Sequence, residues 1–172
     1  IDPGESKNLI EDLRSRDLEL VAILLTHFHG DHIGGVNGLV REYPEVRIYG
    51  PLELESKVSQ VLGEGDEIKE LGKTISVIDT RGHTPSHVTY LVDDNLFTGD
   101  ALFIGGCGRT FTGDYKLQFE DLQKFKDLDG NLKVYPAHEY TVGNLEFAHH
   151  LCPENEEVQE ALESAKKWRR QG

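Results

Sequence analysis

The sequence predicts an α/β layered domain, a mixed sheet with helices outside it, and three observations carry that prediction. An apolar run, Leu18-Glu-Leu-Val-Ala-Ile-Leu-Leu25, follows a stretch in which Leu9, Ile10 and Leu13 fall at helical spacing, so a helix leads into a strand. Short runs rich in Val, Ile, Thr and Tyr recur along the chain and are bounded by Gly, Pro, Asn and Asp. Helical patterns separate some of these runs and close the chain, an order that favours helices packed on the outside of a sheet.

The elements follow in order. Residues 18–25 alternate so little between apolar and polar that they predict a strand buried on both faces. The polar segment from Thr26 to Gly35 reads as a loop. Residues 36–43 predict a short helix stopped by Pro44, which leads to a strand over 46–49. Residues 51–72 carry no decisive periodicity. Strands are predicted over 75–78, 88–92 and 95–98, the last two joined at Asp93-Asp94. A helix over about 117–125, a strand over 132–135 and helices over 142–150 and 154–168 complete the chain.

Composition narrows the function. With 172 residues and 37% hydrophobic content the chain suits one core. A formal charge of −13 repels phosphate backbones, so no nucleic-acid partner is expected. The basic cluster Lys166, Lys167, Arg169 and Arg170 reads as a solvated last helical turn. No apolar run approaches the roughly eighteen residues of a membrane span, so no membrane partner is expected either. Cys107 and Cys152 lie far apart and read as free thiols of a reducing compartment, which points to the cytoplasm. The sequence opens at Ile1-Asp2-Pro3 without a methionine, so organellar targeting upstream of Ile1 stays open. Nothing in the pattern speaks to oligomeric state.

Chemistry concentrates where strands end. Thr26-His27-Phe28-His29-Gly30-Asp31-His32 places three imidazoles and a carboxylate within six residues, a density that suits a bound cation. Imidazole with carboxylate, and no thiolate, accepts zinc, iron or manganese. His83 in Arg-Gly-His-Thr-Pro, Asp100 in Phe-Thr-Gly-Asp-Ala and His138 in Tyr-Pro-Ala-His-Glu-Tyr each follow a predicted strand that could bring them to the same sheet edge. His149 and His150 read as ordinary surface or core histidines, and Cys107 as a small residue in a tight Gly-rich turn.

These residues resemble the metallo-β-lactamase superfamily, whose His-x-His-x-Asp-His loop is followed by a distant histidine, aspartate and histidine. Within it, Gly105-Gly-Cys-Gly-Arg-Thr-Phe111 and His138-Glu-Tyr-Thr-Val-Gly-Asn-Leu-Glu-Phe-Ala148 look like glyoxalase II, the hydroxyacylglutathione hydrolases. The resemblance implies a four-layer αββα sandwich over residues 1–140, with residues 141–172 as the start of a helical region. The resemblance further leads to the expectation that residues 1–172 lack that family's leading strands and most of its C-terminal helical domain.

The resemblance further implies two divalent metal ions, zinc first and iron or manganese as alternatives. His27, His29 and His83 would hold one, Asp31, His32 and His138 the other, and Asp100 would bridge them. A hydroxide shared by the two cations would be the nucleophile, its pKa lowered from about 15.7 toward roughly 7. Asp31 would also orient that nucleophile. Arg109 and Tyr140 match positions that contact glutathione, and Phe111 stands where the family often has tyrosine. The substrate expectation is a small-molecule glutathione thioester, S-lactoylglutathione, cleaved to glutathione and lactate. The thiolate leaving group suits this chemistry because its conjugate acid, with a pKa of about 8.5, needs no general acid. The alternatives are an iron-dependent persulfide dioxygenase with a similar Gly-Cys-Gly-Arg-Thr segment, and an inactive metal-binding fragment. A β-lactam hydrolase fits less well, because aspartate stands at the bridging position where that enzyme type commonly has cysteine.

Overall fold

The computed structural model describes residues 1–171. Its strands form two sheets. The first is parallel, with β1 (Ala22–Leu24), β2 (Arg47–Gly50) and β3 (Gln60–Val61) in that order. The second has five strands in sequence order: β4 (Glu67–Glu70), β5 (Lys73–Asp79), β6 (Val88–Val92), β7 (Asn95–Gly99) and β8 (Lys133–Pro136). Neighbours are antiparallel except β7 and β8, which run parallel because α4 (Tyr115–Lys126) lies in the crossover between them.

Side-chain alternation decides what each sheet faces. Leu24 of β1 and Tyr49 of β2 point into a shared core with Ile68, Ile75, Val77, Val88 and Tyr90 of the second sheet. Ile23, Leu25 and Ile48 point the other way, onto Val36 and Leu39 of α3 (Val36–Glu42) and onto Leu9 and Ile10 of α1 (Lys7–Ser15). Leu25 and Leu39 are wholly buried, worth about 2 kcal/mol each in hydrophobic transfer. The Tyr90 hydroxyl crosses between the sheets and donates to the Leu25 carbonyl at 2.6 Å. At one rim of the core the buried carboxylate of Glu70 accepts from the Tyr49 hydroxyl and from Arg47, each at 2.6 Å, so β4 is tied to β2.

Two helices close the chain. α5 (Thr141–Leu151) and α6 (Glu156–Gln171) pack as a hairpin around Leu145, Leu162 and Ala165, a cluster separate from the two larger ones. Lys166 pairs with Glu146 at 2.8 Å across the hairpin, and Arg169 pairs with Glu139 at its base. Among the described residues no helix is long and apolar enough to cross a membrane. Both cysteines are free and exposed.

The structure differs from the sequence expectation in three places. The first strand is shorter than 18–25, because the Leu18 N–H donates back to the Leu13 carbonyl and Asp17 adopts a positive φ of 53°, so residues 16–18 cap the helix and the chain reaches the sheet only at Ala22. Residues 30–33 of the expected loop form a single helical turn, α2 (Gly30–Ile33), too short for any periodicity to reveal. The undecided stretch 51–72 resolves into a 3-10 turn (Leu52–Leu54) followed by β3 and β4.

Candidate metal centre

The pocket is assembled at one end of both sheets, where β1, β7 and β8 run out. Directly after β1, the buried Thr26 is pinned on three sides. Its N–H donates to Asp2 Oδ1 at 2.8 Å, its hydroxyl donates to Asp2 Oδ2 at 2.7 Å, and its carbonyl accepts from the Val88 N–H at 3.0 Å. The threonine hydroxyl, having spent its proton on Asp2, accepts from His27 Nδ1 at 3.0 Å. The lone pair of His27 therefore sits on Nε2, which faces His29 Nδ1 at 3.0 Å.

The same reasoning assigns two more tautomers. His83 Nδ1 lies 2.7 Å from the Arg109 carbonyl, which can only accept, so the proton is on Nδ1 and Nε2 is free. His83 Nε2 stands 3.1 Å from His29 Nδ1. His32 Nδ1 donates to Asp2 Oδ2 at 2.9 Å, which frees Nε2 in turn. Holding an imidazole by one nitrogen against an oxygen acceptor is the arrangement that prepares the other nitrogen for a metal.

Asp100 stands between two groups of donors. Its Oδ2 lies 3.4 Å from His83 Nε2, while its Oδ1 lies 3.4 Å from both His32 Nε2 and His138 Nε2. Asp31 Oδ2 completes the second group, 3.2 Å from His138 Nε2 and 3.7 Å from His32 Nε2. The donor atoms of His27, His29, His83 and Asp100 lie within 4.8 Å of one another, and so do those of Asp31, His32 and His138. His32 Nε2 and Asp100 Oδ1 are buried without any hydrogen-bond partner. Unpaired polar atoms at that depth cost on the order of 1–3 kcal/mol each, and a cation between them removes the cost. The donor set thus fits divalent metal.

Burial first, and then the charges of neighbouring imidazoles, hold His27 and His87 well below the ordinary histidine range. Burial also lowers His83, outweighing Asp100 and the Arg109 carbonyl. His32 goes the other way. Burial would lower it, but the Asp2 hydrogen bond and the charges of Asp2, Asp100 and Asp31 together raise it.

The structure brings together all seven residues singled out as donors: His27, His29, Asp31, His32, His83, Asp100 and His138. Arg109 lies exposed beside them, its guanidinium carbon 5.2 Å from the centre of the Phe111 ring. Phe111 in turn meets His29 and His83 edge to face. Tyr140 is 53% exposed and stacks on His138 at 5.1 Å. His149 and His150 sit on α5 and do not join the donor groups.

Sequence reasoning missed Asp2, Thr26 and His87. Asp2 is 24 residues from the Thr26 that it grips, and no spacing links them. His87 is fully buried, stacks on His27 at 4.9 Å, accepts from the Asp100 N–H at 3.2 Å and bonds Thr80 through Nδ1 at 2.8 Å. Its signal lay four residues from His83, but only the fold reveals that it supports a donor. Gly99 makes this approach feasible. At its φ of +50° an added Cβ would fall 2.5 Å from the Thr26 hydroxyl and 2.8 Å from His87 Nε2.

Two sheets face to face, with histidines and aspartates collected at their shared end, define a metallohydrolase-type domain. The family model described as "Metallo-beta-lactamase superfamily" matches residues 1–138. The chain is 44% identical over 172 residues to the hydroxyacylglutathione hydrolase of Haemophilus ducreyi, covering 99% of this chain and 73% of that one. Among solved structures it is similar to the BLEG-1 B3 metallo-beta-lactamase (TM-score 0.74, 28% identity, 80% of this chain and 79% of that one). It is also similar to ETHE1 from Myxococcus xanthus (TM-score 0.71, 33% identity, 81% of this chain and 64% of that one). The chain belongs to the metallo-β-lactamase superfamily and, within it, to the hydroxyacylglutathione hydrolase (glyoxalase II) family. It spans between 63% and 73% of the length of the first three of these hydrolases.

Proposed function

We propose that this protein is a metal-dependent hydrolase that cleaves a glutathione thioester, with S-lactoylglutathione as substrate and glutathione and lactate as products. The observation that carries the substrate class is the 44% identity to a hydroxyacylglutathione hydrolase over 99% of the chain. The donor pocket supports the hydrolytic chemistry.

In this reading His27, His29 and His83 would hold one divalent ion and Asp31, His32 and His138 a second, with Asp100 shared between the two groups and zinc as the first choice of metal. Bound there, the ions would supply a nucleophilic hydroxide at neutral pH and a Lewis acid for the carbonyl oxygen. The chain's own residues do the rest. Asp2, the Arg109 carbonyl and Thr26 keep three imidazoles in the tautomer that presents Nε2. Asp31, whose side chain is 60% exposed, accepts a hydrogen bond from the attacking water and turns its lone pair toward the substrate. The guanidinium of Arg109 pairs with a glutathione carboxylate, and the Tyr140 hydroxyl bonds its amide backbone. The departing thiolate is stable enough to leave unprotonated, which accords with the lack of a dedicated acid in this scheme. We divide the chain at residue 140, with the donor-bearing sandwich before it and the α5–α6 hairpin after it. The free thiols suit a reducing compartment, and we place the protein in the cytoplasm.

The test is elemental analysis of purified protein together with S-lactoylglutathione hydrolysis and sulfur-dependent oxygen uptake. About two metal equivalents per chain with thioester turnover are expected. A single iron with oxygen uptake and no thioester turnover would replace the hydrolase by a persulfide dioxygenase, and metal without either activity would leave a binding fragment.

A further inference from the structure

Outside the donor pocket, buried polar groups gather on one face of α4. Gln118 and Asp121 are 7% and 3% exposed, lie three residues apart on that face, and belong to none of the donor groups. Asp121 Oδ2 accepts from the Gly82 N–H at 2.8 Å, one residue before His83. Its other oxygen lies 3.0 Å from the Lys124 ammonium, which also donates to the Asp79 carbonyl at 2.6 Å. Gln118 donates from Nε2 to the Gly108 carbonyl at 2.8 Å and accepts from the Thr110 hydroxyl through Oε1. One side-chain amide thus grips the residues on both sides of Arg109.

The helix and the loop meet where Gly82 has no side chain, since an added Cβ would fall 2.5 Å from Gln118 Cα. The two gripped segments are also bonded to each other. His83 Nδ1 donates to the Arg109 carbonyl, the Phe111 N–H donates to the His83 carbonyl at 3.2 Å, and the Thr112 hydroxyl donates to the Gly82 carbonyl at 2.9 Å. An apolar helix face could cover the same loops, but it would not fix them in register. The bonds from Asp121 Oδ2 and from both ends of the Gln118 amide are directional and tolerate one arrangement, while Asp121 Oδ1 is held by the charge of Lys124 alone.

We propose that Asp121 and Gln118 are positioning residues of a single clamp, with Asp121 setting His83 toward the metal and Gln118 setting Arg109 toward the substrate carboxylate. The Gln118 half rests on the hydrolase reading above, whereas the Asp121 half requires only that metal binds.

The experiment compares zinc-loaded wild type, Gln118→Leu, Asp121→Ala and Asp121→Asn, measuring kcat and KM on S-lactoylglutathione and zinc retention against a graded chelator. Gln118→Leu is expected to raise KM about fivefold, with kcat within about twofold and zinc retention unchanged. Asp121→Ala is expected to weaken zinc retention by about tenfold, and Asp121→Asn to restore it, because the amide oxygen still accepts from Gly82. Where Gln118→Leu does not fold, Thr110→Val removes one of its two bonds from the loop side, leaving the one to Gly108, and should raise KM in the same direction. Where Asp121→Ala does not fold, Asp121→Ser, too short to reach Gly82, takes its place. The clamp is overturned if the Gln118 and Asp121 variants lower kcat equally with KM and zinc retention unchanged, or if Asp121→Asn retains zinc no better than Asp121→Ala. Wild type that binds zinc but does not cleave the thioester would sink the hydrolase reading alone, and the Asp121 comparison would still decide the clamp.

Discussion

The two halves of the donor pocket are built differently. His27 and His83 are 0% and 3% exposed, and each is held through Nδ1 by a neighbour that is itself pinned. The Asp31, His32 and His138 half has one buried member, His32, beside an Asp31 side chain that is 60% exposed and a His138 side chain that is 25% exposed. One half is set by the packed interior, and the other is half open to water and leans on Asp2 and on the stack of Tyr140 over His138. Preorganised donors lose less entropy on binding than mobile ones, so the first half should hold its ion more tightly.

The largest effect is expected at the residue shared by both halves. Asp100→Ala should remove at least one metal equivalent and lower thioester hydrolysis by about a thousandfold while the circular dichroism spectrum is kept. Wild-type turnover from that variant, or from metal-free protein, would break the two-ion scheme. Next comes Asp2→Ala, which strips acceptors from Thr26 and His32 at once. It should cost about 2–3 kcal/mol in chemical denaturation and release the ion of the open half first on chelator titration. Loss of both ions together would erase the distinction between the halves.

Acidity offers a third separation in protein stripped of metal. His27, His83 and His87 have folded pKa values below the ordinary 6.5, and His32 has one above it. The three lowered groups contribute stability that is full above pH 6.5 and is lost as pH falls toward their folded values, because there the unfolded chain binds protons that the folded chain refuses. His32 contributes oppositely, fully below pH 6.5 and progressively less as pH rises through its raised value. The lowered set outnumbers it, so the metal-free protein should lose stability between pH 7 and pH 5, at up to about 1.4 kcal/mol per pH unit for each excess proton. A urea midpoint that climbs on acidification would contradict the burial argument. The smallest effect is expected from Tyr140→Phe, which keeps the ring on His138. Its melting temperature should not move, and KM should rise about threefold if the hydroxyl meets glutathione.

Much of this was legible in the sequence because it rests on local physics. Strand β6 follows from five consecutive residues of β character, and α5 and α6 from their helical pattern. The donors stood out because histidine and aspartate accumulate at strand ends only when something binds them. What stayed hidden depends on short or distant contacts. The single turn α2 offers no periodicity, β3 has two residues, and β4 could not be told from the rest of residues 51–72.

By itself, then, the sequence determined the donor identities, the α/β class and the family motifs, because residue type and spacing are encoded one position at a time. Only the tertiary structure decided which nitrogen of His27, His32 and His83 is free. It also decided that Asp2 supports His32, that His87 supports Asp100, and that one face of α4 grips both the His83 loop and the Arg109 segment. The supports of His32, His83, Asp100 and the Arg109 segment rest on hydrogen bonds between residues 10 to 39 positions apart, with geometry that exists only once the two sheets have closed on their common core.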